Sequence, residues 1–367
     1  MSDHTDDFEM IRDQARRYLD AAAPPEHLKN MLEQAGGFDQ ALWSGAVGLG
    51  WPACALPERH DGLGLGWRGL CVLAEELGRK SASLPLVASA AVAQLLAGEG
   101  MAGQANLPAL ASGERHACLA LCQSGAAGLA LRPRMQWDGA ALNGATAITP
   151  FAASADLALV PATRGADLVL LLVDLRLSGI TRTIEPAIDN SRAAATLAFD
   201  GAAATALAVG AQAEAALWQV ASLAALATAF EQVGGAQACL DMARGYALER
   251  KAFGQQIGRF QAIKSKLADI FIRIELARGC ALDALAALEA HDPAWPSLAA
   301  SARMAATDAY EIAARETIQT HGAIGVTWEA MPHHHYRRSR ALALEIGAAA
   351  SWRERLLSTA AFSTTAH

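Results

Sequence analysis

A turn between two predicted helices, at residues 246–269, constrains the fold of this chain more than any other segment. The segment before the turn, from about Ala224, is rich in alanine and free of proline, which favours a helix. Within the turn, Gly254 and Gly258 allow the backbone to reverse its direction. After it, apolar residues at three- and four-residue spacing predict a second helix with one buried stripe; they are Ile263, Leu267, Ile270, Ile274 and Ala277.

The turn also presents two polar side chains, the guanidinium of Arg250 and the amide of Gln261. An arginine at such a corner can bind a phosphate or pyrophosphate through two parallel hydrogen bonds. Taken alone, an arginine at a helix end is more often solvated or bonded to a carbonyl of the last helical turn. The choice between these interpretations of Arg250 depends on the rest of the pattern.

The composition excludes several classes of protein. Of the 367 residues, 53% are hydrophobic and 18% are charged, which excludes an intrinsically disordered chain. The net charge of −7 and the lack of a basic run argue against a nucleic-acid partner. The acidic start does not have the apolar core of a signal peptide, and no apolar run approaches the roughly 20 residues of a membrane helix. The six scattered cysteines favour a reducing, cytoplasmic setting.

The apolar pattern changes twice along the chain and predicts three domains in an α+β fold. Residues 1–112 look helical throughout. Residues 113–208 contain short β-type runs separated by turn signals, which are Asp138-Gly139, Asn143-Gly144, Arg164-Gly165 and Asp200-Gly201. Residues 209–367 are again helical and rich in alanine. We expect an N-terminal helical domain, a small middle β-domain and a C-terminal four-helix bundle.

Two other features invite a ligand-binding interpretation that their spacing does not support. The alternating glycines of residues 62–66 do not have the spacing of a dinucleotide-binding loop and follow no strand, so we expect a structural turn. Three consecutive histidines, residues 333–335, cannot all face one metal on a helix or strand, because neighbouring side chains point apart. We expect them in a surface or interface loop. Cys118 and Cys122 have no second pair nearby, so the sequence predicts no metal site.

The segment Arg250–Asp269 has the pattern Arg-x-x-Phe-Gly-x-x-Ile-x-x-Phe-Gln-x-x-x-x-x-Leu-Ala-Asp. This pattern closely resembles a signature of the acyl-CoA dehydrogenases. A second segment, Gln319–Glu329, resembles another signature of the same family, and residues 51–78 resemble its N-terminal helical domain. The resemblance covers nearly the whole chain, is weakest in the β-domain, and implies the three-part fold of that family.

The resemblance implies FAD as the cofactor. The positions that match the family's FAD contacts are Arg250, Phe253, Gln261, Gln319, His321, Gly322 and Ala323. In the family, the last four belong to a loop that contacts the ADP part of FAD across a subunit interface. Small residues in this loop let backbone N–H groups approach a phosphate closely. Ala323 stands where the family has a second glycine.

The resemblance also implies a reaction, in which a carboxylate removes the α-proton of an acyl-CoA while flavin N5 accepts the β-hydride to give a 2,3-enoyl-CoA. The family places this carboxylate at one of two positions, which fall at or near Ala224 and on Gly347, so neither is acidic here. Glu231, two turns or roughly 10 Å beyond Ala224, is a candidate for a relocated base, and Glu345 is a second. A buried hydrogen-bonded or solvated glutamate is the alternative for both.

The β-domain departs from the family at two places. Residues 122–128 replace a Thr/Ser-rich loop that carries an acidic residue and Pro-Gly, and Ile148–Pro150 align with a flavin-facing Trp-x-Thr segment. An aromatic wall and a hydroxyl donor are therefore missing from the reactive half of the implied site. The ADP-binding half remains.

Gly325–Glu329 and Glu231–Gly235 are similar to a bacterial subfamily that degrades sterol and bile-acid side chains. Its members pair two different chains in α2β2 heterotetramers, and this chain resembles the one that supplies the ADP half. The implied substrate is a steroid side-chain or another bulky acyl-CoA, and the implied electron acceptor, by analogy, is an electron-transfer flavoprotein. Three interpretations stay open: a catalytic subunit, a base-less subunit that completes a partner's FAD site, and a homodimer or homotetramer with a relocated base.

Overall fold

The structure is a computed structural model that describes residues 3–122 and 128–363. Its N-terminal part is helical and consists of α1 (Asp3–Ala22), α2 (Pro25–Glu33), α3 (Gln40–Gly48), α4 (Gly66–Lys80), α5 (Leu86–Leu96) and α6 (Leu107–Ala111). Its C-terminal part consists of α7 (Ala211–Glu249), the short strands β9 (Lys251–Ala252) and β10 (Gln255–Gln256), α8 (Gln261–Glu289), α9 (Trp295–His321), α10 (Met331–Leu344) and α11 (Ala349–Ser363).

Along the chain, a mixed sheet lies between the two helical parts. Its strands are β1 (Ala117–Leu119), β2 (Gln136–Trp137), β3 (Ala141–Ala145), β4 (Leu157–Arg164), β5 (Asp167–Asp174), β6 (Ile180–Ile184), β7 (Ala195–Ala203) and β8 (Thr205–Val209). Their order is β6-β7-β3-β2-β4-β5-β8, and β1 pairs in parallel with β4. The expected α+β architecture, with N-terminal helices, a central sheet and a C-terminal helical bundle, is confirmed.

Two of the expected turns lie inside strands, so the prediction of a turn at these places is wrong. Asn143-Gly144 belongs to β3 and Asp200-Gly201 belongs to β7. The register between the two strands shifts at this point, and the backbone is left-handed at Gly144 (φ +119°) and at Gly201 (φ +66°). A bulge accommodates an extra residue within a ladder, and glycine tolerates the backbone angle that it requires.

α7 is the central helix of the bundle and packs against α4, α8, α9 and α10. At the crossing with α4 the two backbones are in contact. A Cβ atom on Gly234 would lie 1.9 Å from the carbonyl oxygen of Glu75, and one on Gly78 would lie 1.8 Å from that of Glu231. No side chain fits at either position, so the glycines set the distance between the helices and bring Glu231 against the N-terminal part.

One window of α7 is long and apolar enough to cross a membrane, which differs from the expectation that no segment would be. In the fold, 78% of that window is buried. An all-round apolar helix is typical of the centre of a large protein core as well as of a membrane span. The burial explains the composition of α7 by its central place in the bundle.

The histidines at residues 333–335 lie in α10, so the expectation of a surface or interface loop is wrong. The exposed fractions of His333, His334 and His335 are only 7%, 3% and 2%. Pro332 stands in the first turn of α10, where a missing backbone N–H does not break the helix. His335 has a buried partner: the Tyr310 hydroxyl lies 2.9 Å from its Nδ1 and can donate to it.

Candidate functional site

The turn between α7 and α8 displays Arg250 and Phe253 to solvent. The strands β9 and β10 form a short hairpin after α7, and the Ile257 N–H donates to the Arg250 carbonyl oxygen at 2.8 Å. Phe253 lies in this hairpin with φ +52° and is 96% exposed. A left-handed backbone angle is strained for a phenylalanine, and an aromatic ring gains nothing from exposure to water. Both features are typical of a contact site.

The second signature segment meets this turn through an aromatic contact. The ring of Tyr246, in the last turn of α7, stacks on His321 with centroids 4.3 Å apart. Gln319, Gly322 and Ala323 are exposed around His321. Gly322 has φ +65°, which lets α9 end and the chain continue as a short 3-10 helix. The structure therefore brings together at one end of the bundle two segments that are far apart in sequence.

The groups at this end of the bundle suit an anionic nucleotide. Arg250, Gln261 and Gln319 are exposed, and Gln261 is the first residue of α8. The first backbone N–H groups of a helix have no partner within the helix and carry the positive end of its dipole. Guanidinium, amide and backbone N–H groups all donate hydrogen bonds, so they fit the phosphates of the ADP part of FAD.

A second candidate region is a small cavity where the three parts of the chain meet. Its volume is about 70 Å³. It is lined by the segment 148–151, which contains the residues aligned with the family's flavin-facing segment. Glu231 of α7 and Glu345 after α10 also line it. Cys122 also lines the cavity, whereas residues 123–127 of the same expected loop lie outside the described residues.

Two arginines hold the glutamates of this cavity. Nη1 of Arg192 donates to Oε1 of Glu231 at 3.0 Å, and Nη2 donates to the carboxylate of Glu345 at 2.7 and 2.8 Å. Arg338 donates to the same Oε1 of Glu231 at 3.1 Å and forms an ion pair with Asp189. Glu231 therefore shares one oxygen between two guanidinium groups.

A third arginine completes a set of largely buried charges that we name the six-charge cluster: Arg192, Arg303, Arg338, Asp189, Glu231 and Glu345. Arg303 donates to the side-chain oxygen of Gln232 at 2.6 Å and to the backbone carbonyl of Glu345 at 2.9 Å. The three positive and three negative charges balance, which lowers the cost of removing them from water.

Burial and charge pairing shift the pKa values of the cluster in opposite directions. Burial lowers the pKa of Arg303 to about 10. Burial acts to raise the pKa of Asp189, but the charge of Arg338 and its hydrogen bond outweigh burial and hold that pKa below its ordinary value. Burial also acts against the charged form of Arg192, yet the carboxylates of Glu231 and Glu345 raise its pKa. Arg192 and Arg338 are thus held in ion pairs, whereas Arg303 donates to neutral oxygen atoms.

This arrangement changes what Glu231 can do chemically. A general base needs a free lone pair within hydrogen-bond reach of the substrate proton. Oε1 of Glu231 already accepts hydrogen bonds from Arg192 and Arg338, so only Oε2 could act as a base. Ala224 is fully buried, and the backbone at Gly347 has φ +96°. Neither position expected from the family carries an acid, and Glu231 lies in an ion-pair cluster.

Sequence reasoning identified Glu231 and Glu345 separately and did not identify the residues that join them. Arg192, Arg338 and Asp189 carry no motif of their own. The available signal was weak: two arginines at positions 337 and 338, and an Asp-Asn-Ser-Arg run at 189–192. Only the fold brings these residues together.

The buried histidines of α10 carry no metal site. Among the described residues, no group of three or more His, Cys, Asp or Glu side chains could hold a metal ion. Burial lowers the pKa of His334 to about 4 and that of His335 to about 3. At neutral pH both imidazoles are therefore uncharged parts of the core.

Comparisons with known proteins agree with the fold. The N-terminal domain of the acyl-CoA dehydrogenase family matches residues 5–114, and its C-terminal domain matches residues 210–359. The chain is 29% identical over 336 residues to the acyl-CoA dehydrogenase IpdE2 of Mycobacterium tuberculosis, with 90% of each protein covered. It is 32% identical over 355 residues to the acyl-CoA dehydrogenase FadE34 of the same organism. That match covers 95% of this chain and 46% of FadE34, so the chain spans about half the length of that relative.

Among solved structures, the chain is similar to one described as a variant of the Tcur3481-Tcur3483 steroid ACAD. The TM-score is 0.89 at 30% identity, and the match covers 99% of this chain and 100% of that one. The fold and the sequence are similar over the full length, and both the N-terminal and the C-terminal domain of the family match. The chain belongs to the acyl-CoA dehydrogenase family, whose members are FAD-dependent oxidoreductases that act on a CH–CH bond of an acyl-CoA.

Proposed function

We propose that this chain is the base-less subunit of a heteromeric acyl-CoA dehydrogenase and completes the FAD site of a homologous partner chain. The assembly converts an acyl-CoA to a 2,3-enoyl-CoA. One contrast within the chain carries the proposal: the donors around Arg250 and Gln319 are accessible, whereas the reactive region is filled by ion pairs.

The size of the cavity supports a role without a reactive centre. Its volume is about 70 Å³, whereas pockets that hold drug-sized ligands measure roughly 300–1,000 Å³. An isoalloxazine ring stacked on an acyl thioester needs the larger volume. The side chains of Arg192, Glu231 and Glu345 line the space that such groups would need.

The accessible end of the bundle gives the chain its role toward the cofactor. When bound, FAD supplies the oxidising power by accepting a hydride from the acyl group. In the proposed assembly Arg250 pairs with the pyrophosphate and Gln261 and Gln319 donate hydrogen bonds to the ADP part. Gly322 and Ala323 are exposed, so their backbone N–H groups can be reached by a phosphate. The partner chain supplies the carboxylate base.

The relatives support pairing of unlike units and a bulky substrate. The steroid acyl-CoA dehydrogenase structure bears two protein names, Tcur3481 and Tcur3483. FadE34 extends well beyond the region that this chain matches, which leaves more than half of its length for other units. We propose a steroid side-chain acyl-CoA as the substrate and, by analogy with the family, an electron-transfer flavoprotein as the electron acceptor.

The outward face of α8 is the proposed contact surface for the partner chain. The inward face carries a narrow buried stripe that includes Ile270 and Ile274. On the opposite face Phe271, Ile272 and Leu276 are 52%, 54% and 64% exposed. Apolar residues on both sides of one helix are typical of a helix that is buried on both sides. A homologous chain is the occupant we propose, because this face belongs to the helix that begins at the proposed FAD-binding turn.

The visible absorption spectrum tests the proposed function. The chain is purified alone and after co-expression with a homologous chain that carries a glutamate at the position of Ala224 or Gly347. We expect flavin absorbance only in the co-expressed sample, at about one flavin per pair of unlike chains. One flavin per chain in the isolated protein, with bleaching by an acyl-CoA, would overturn the proposal.

A further inference from the structure

We propose that the six-charge cluster permanently closes the reactive half of this chain's own fold, so that the chain accepts no isoalloxazine ring and joins its three parts without a cofactor. This inference rests on the proposed function, because it explains why flavin chemistry would depend on the partner. It concerns Arg192 above all, since this residue contacts both glutamates of the cavity.

Phe151, which directly follows the segment aligned with the family's flavin-facing residues, contacts Arg192. The guanidinium lies 4.8 Å from the centroid of the Phe151 ring, a cation–π contact. The Phe151 N–H donates to the carbonyl oxygen of Arg192 at 2.6 Å, and Phe151 adopts φ +62°. Arg192 thus takes the place opposite this segment that an aromatic ring system would need.

The cluster connects all three parts of the chain. Asp189 and Arg192 precede β7 of the sheet, Glu231 belongs to α7, and Arg338 belongs to α10. Arg338 also donates to the backbone carbonyls that follow α4, at 3.1 Å for Ser81 and 2.7 Å for Ala82. Each of these contacts is buried, so water screens them little.

Opening the cluster would leave charges without partners. The Arg192 side chain is 8% exposed, and those of Glu231 and Glu345 are 4% and 15% exposed. Withdrawal of Arg192 would remove the guanidinium that Glu345 contacts and one of the two that Glu231 contacts. A buried charge that loses its partner is strongly unfavourable. The geometry therefore favours a closed cavity over one that opens for a ligand.

A double-mutant cycle on the full chain tests the closure. The variants are Arg192→Met, Glu345→Gln and the double variant, each followed by thermal unfolding. We expect each single substitution to lower Tm by roughly 4–7 °C. The double variant should lose clearly less than the sum of the two losses. Arg192→Lys, which keeps the charge and loses the fork, replaces Arg192→Met if that variant does not fold. Additive losses would overturn the inference.

An exposed ion pair serves as the matched control. Arg340 and Glu311 join α10 to α9, and their side chains are 44% and 31% exposed. Arg340→Met and Glu311→Gln should each change Tm by about 2 °C or less, with no measurable coupling. If this pair were coupled as strongly as Arg192 and Glu345, burial at the cavity would not be the cause of their coupling. That result would overturn the inference.

Ligand titrations test whether the ring is excluded. Riboflavin, which lacks the ADP part, should leave the Tm of the isolated chain unchanged. FAD should bind the isolated chain no more than about twofold more tightly than ADP does. A rise in Tm with riboflavin, FAD binding more than tenfold tighter than ADP, or two flavins per pair of chains would overturn the inference. If the proposed function alone fails, the result looks different: the co-expressed pair would contain no flavin, whatever the riboflavin result.

Discussion

Tyr246 and His321 stack with ring centroids 4.3 Å apart and planes inclined by 26°. This contact joins the end of α7 to the end of α9 and so places the Arg250 turn beside the Gln319 segment. Aromatic stacking fixes the relative orientation of the two segments because both rings are held by helices. The nucleotide site that we propose is therefore built on rigid elements.

The first prediction concerns Arg250. Arg250→Met should weaken FAD binding to the heteromeric complex by about tenfold to a hundredfold, because a charge-assisted hydrogen bond contributes roughly 1.5–3 kcal/mol. Calorimetric titration of the flavin-free complex with FAD measures the effect. Arg259→Met is the control, since Arg259 is also exposed in the same turn but matches no implied FAD contact. Equal losses in the two variants would show that the turn acts through net charge only.

The second prediction concerns Glu231. Glu231→Gln should destabilise the chain by about 3–5 kcal/mol, because it breaks the pairs with Arg192 and Arg338. The turnover number of the assembled complex should change by less than about threefold. Urea unfolding and steady-state kinetics measure the two effects, with Glu249→Gln at the exposed end of α7 as the control. A hundredfold loss of turnover at unchanged stability would instead identify Glu231 as a relocated base.

The third prediction concerns the hydrogen bond between Tyr310 and His335. Tyr310 is fully buried, and its hydroxyl lies 2.9 Å from Nδ1 of the imidazole. Tyr310→Phe leaves that nitrogen without its partner, so the free energy of unfolding should fall by about 1–3 kcal/mol. Tyr336→Phe, at a 38% exposed position, should change it by less than about 0.5 kcal/mol. Indistinguishable unfolding curves for the two variants would contradict the prediction.

The fourth prediction concerns acid stability. Burial lowers the pKa of His334 to about 4 and of His335 to about 3, whereas an unfolded histidine titrates near about 6.5. Below pH ~6.5 the unfolded chain therefore binds more protons than the folded chain, and stability decreases as the pH falls toward 4. Urea unfolding at intervals from pH 7.5 to 4.5 measures this slope.

Two substitutions separate the buried histidines from other acid effects. His335→Asn should reduce the slope between pH 6.5 and 4.5, because the unfolded state then has one site fewer to protonate. His291→Asn is the control, since His291 is exposed and its left-handed backbone suits asparagine. The same slope in wild type and His335→Asn would mean that His335 is not responsible.

The fifth prediction concerns the outward face of α8. Leu276→Glu places a charge on the proposed contact surface and should weaken assembly with the partner chain by at least tenfold while the isolated chain keeps its Tm. Light scattering after gel filtration measures the mass of the complex. Leu357→Glu on α11 is the control, because Leu276 and Leu357 are both 64% exposed. Intact assembly of Leu276→Glu would place the interface elsewhere.

Local rules were sufficient for much of this protein. Apolar periodicity and the absence of proline predicted the long helices, and the glycines of the Arg250 turn predicted a reversal. Local rules were insufficient at Asn143-Gly144 and Asp200-Gly201, where the same residues that make turns make a bulge. They also failed at residues 333–335, where a surface loop was predicted. The directions in which neighbouring side chains point do not show whether the segment is a buried helix.

The sequence by itself determined the family, the order of helices and strands, and the loss of an acid at both expected positions. The tertiary structure alone decided that ion pairs line the cavity beside residues 148–151. The pairs join Arg192 to Glu231, 39 residues away, Arg338 to Glu231, 107 residues away, and Arg192 to Glu345, 153 residues away. Charge pairing depends on distance in space and on exclusion of water, and neither follows from spacing along the chain.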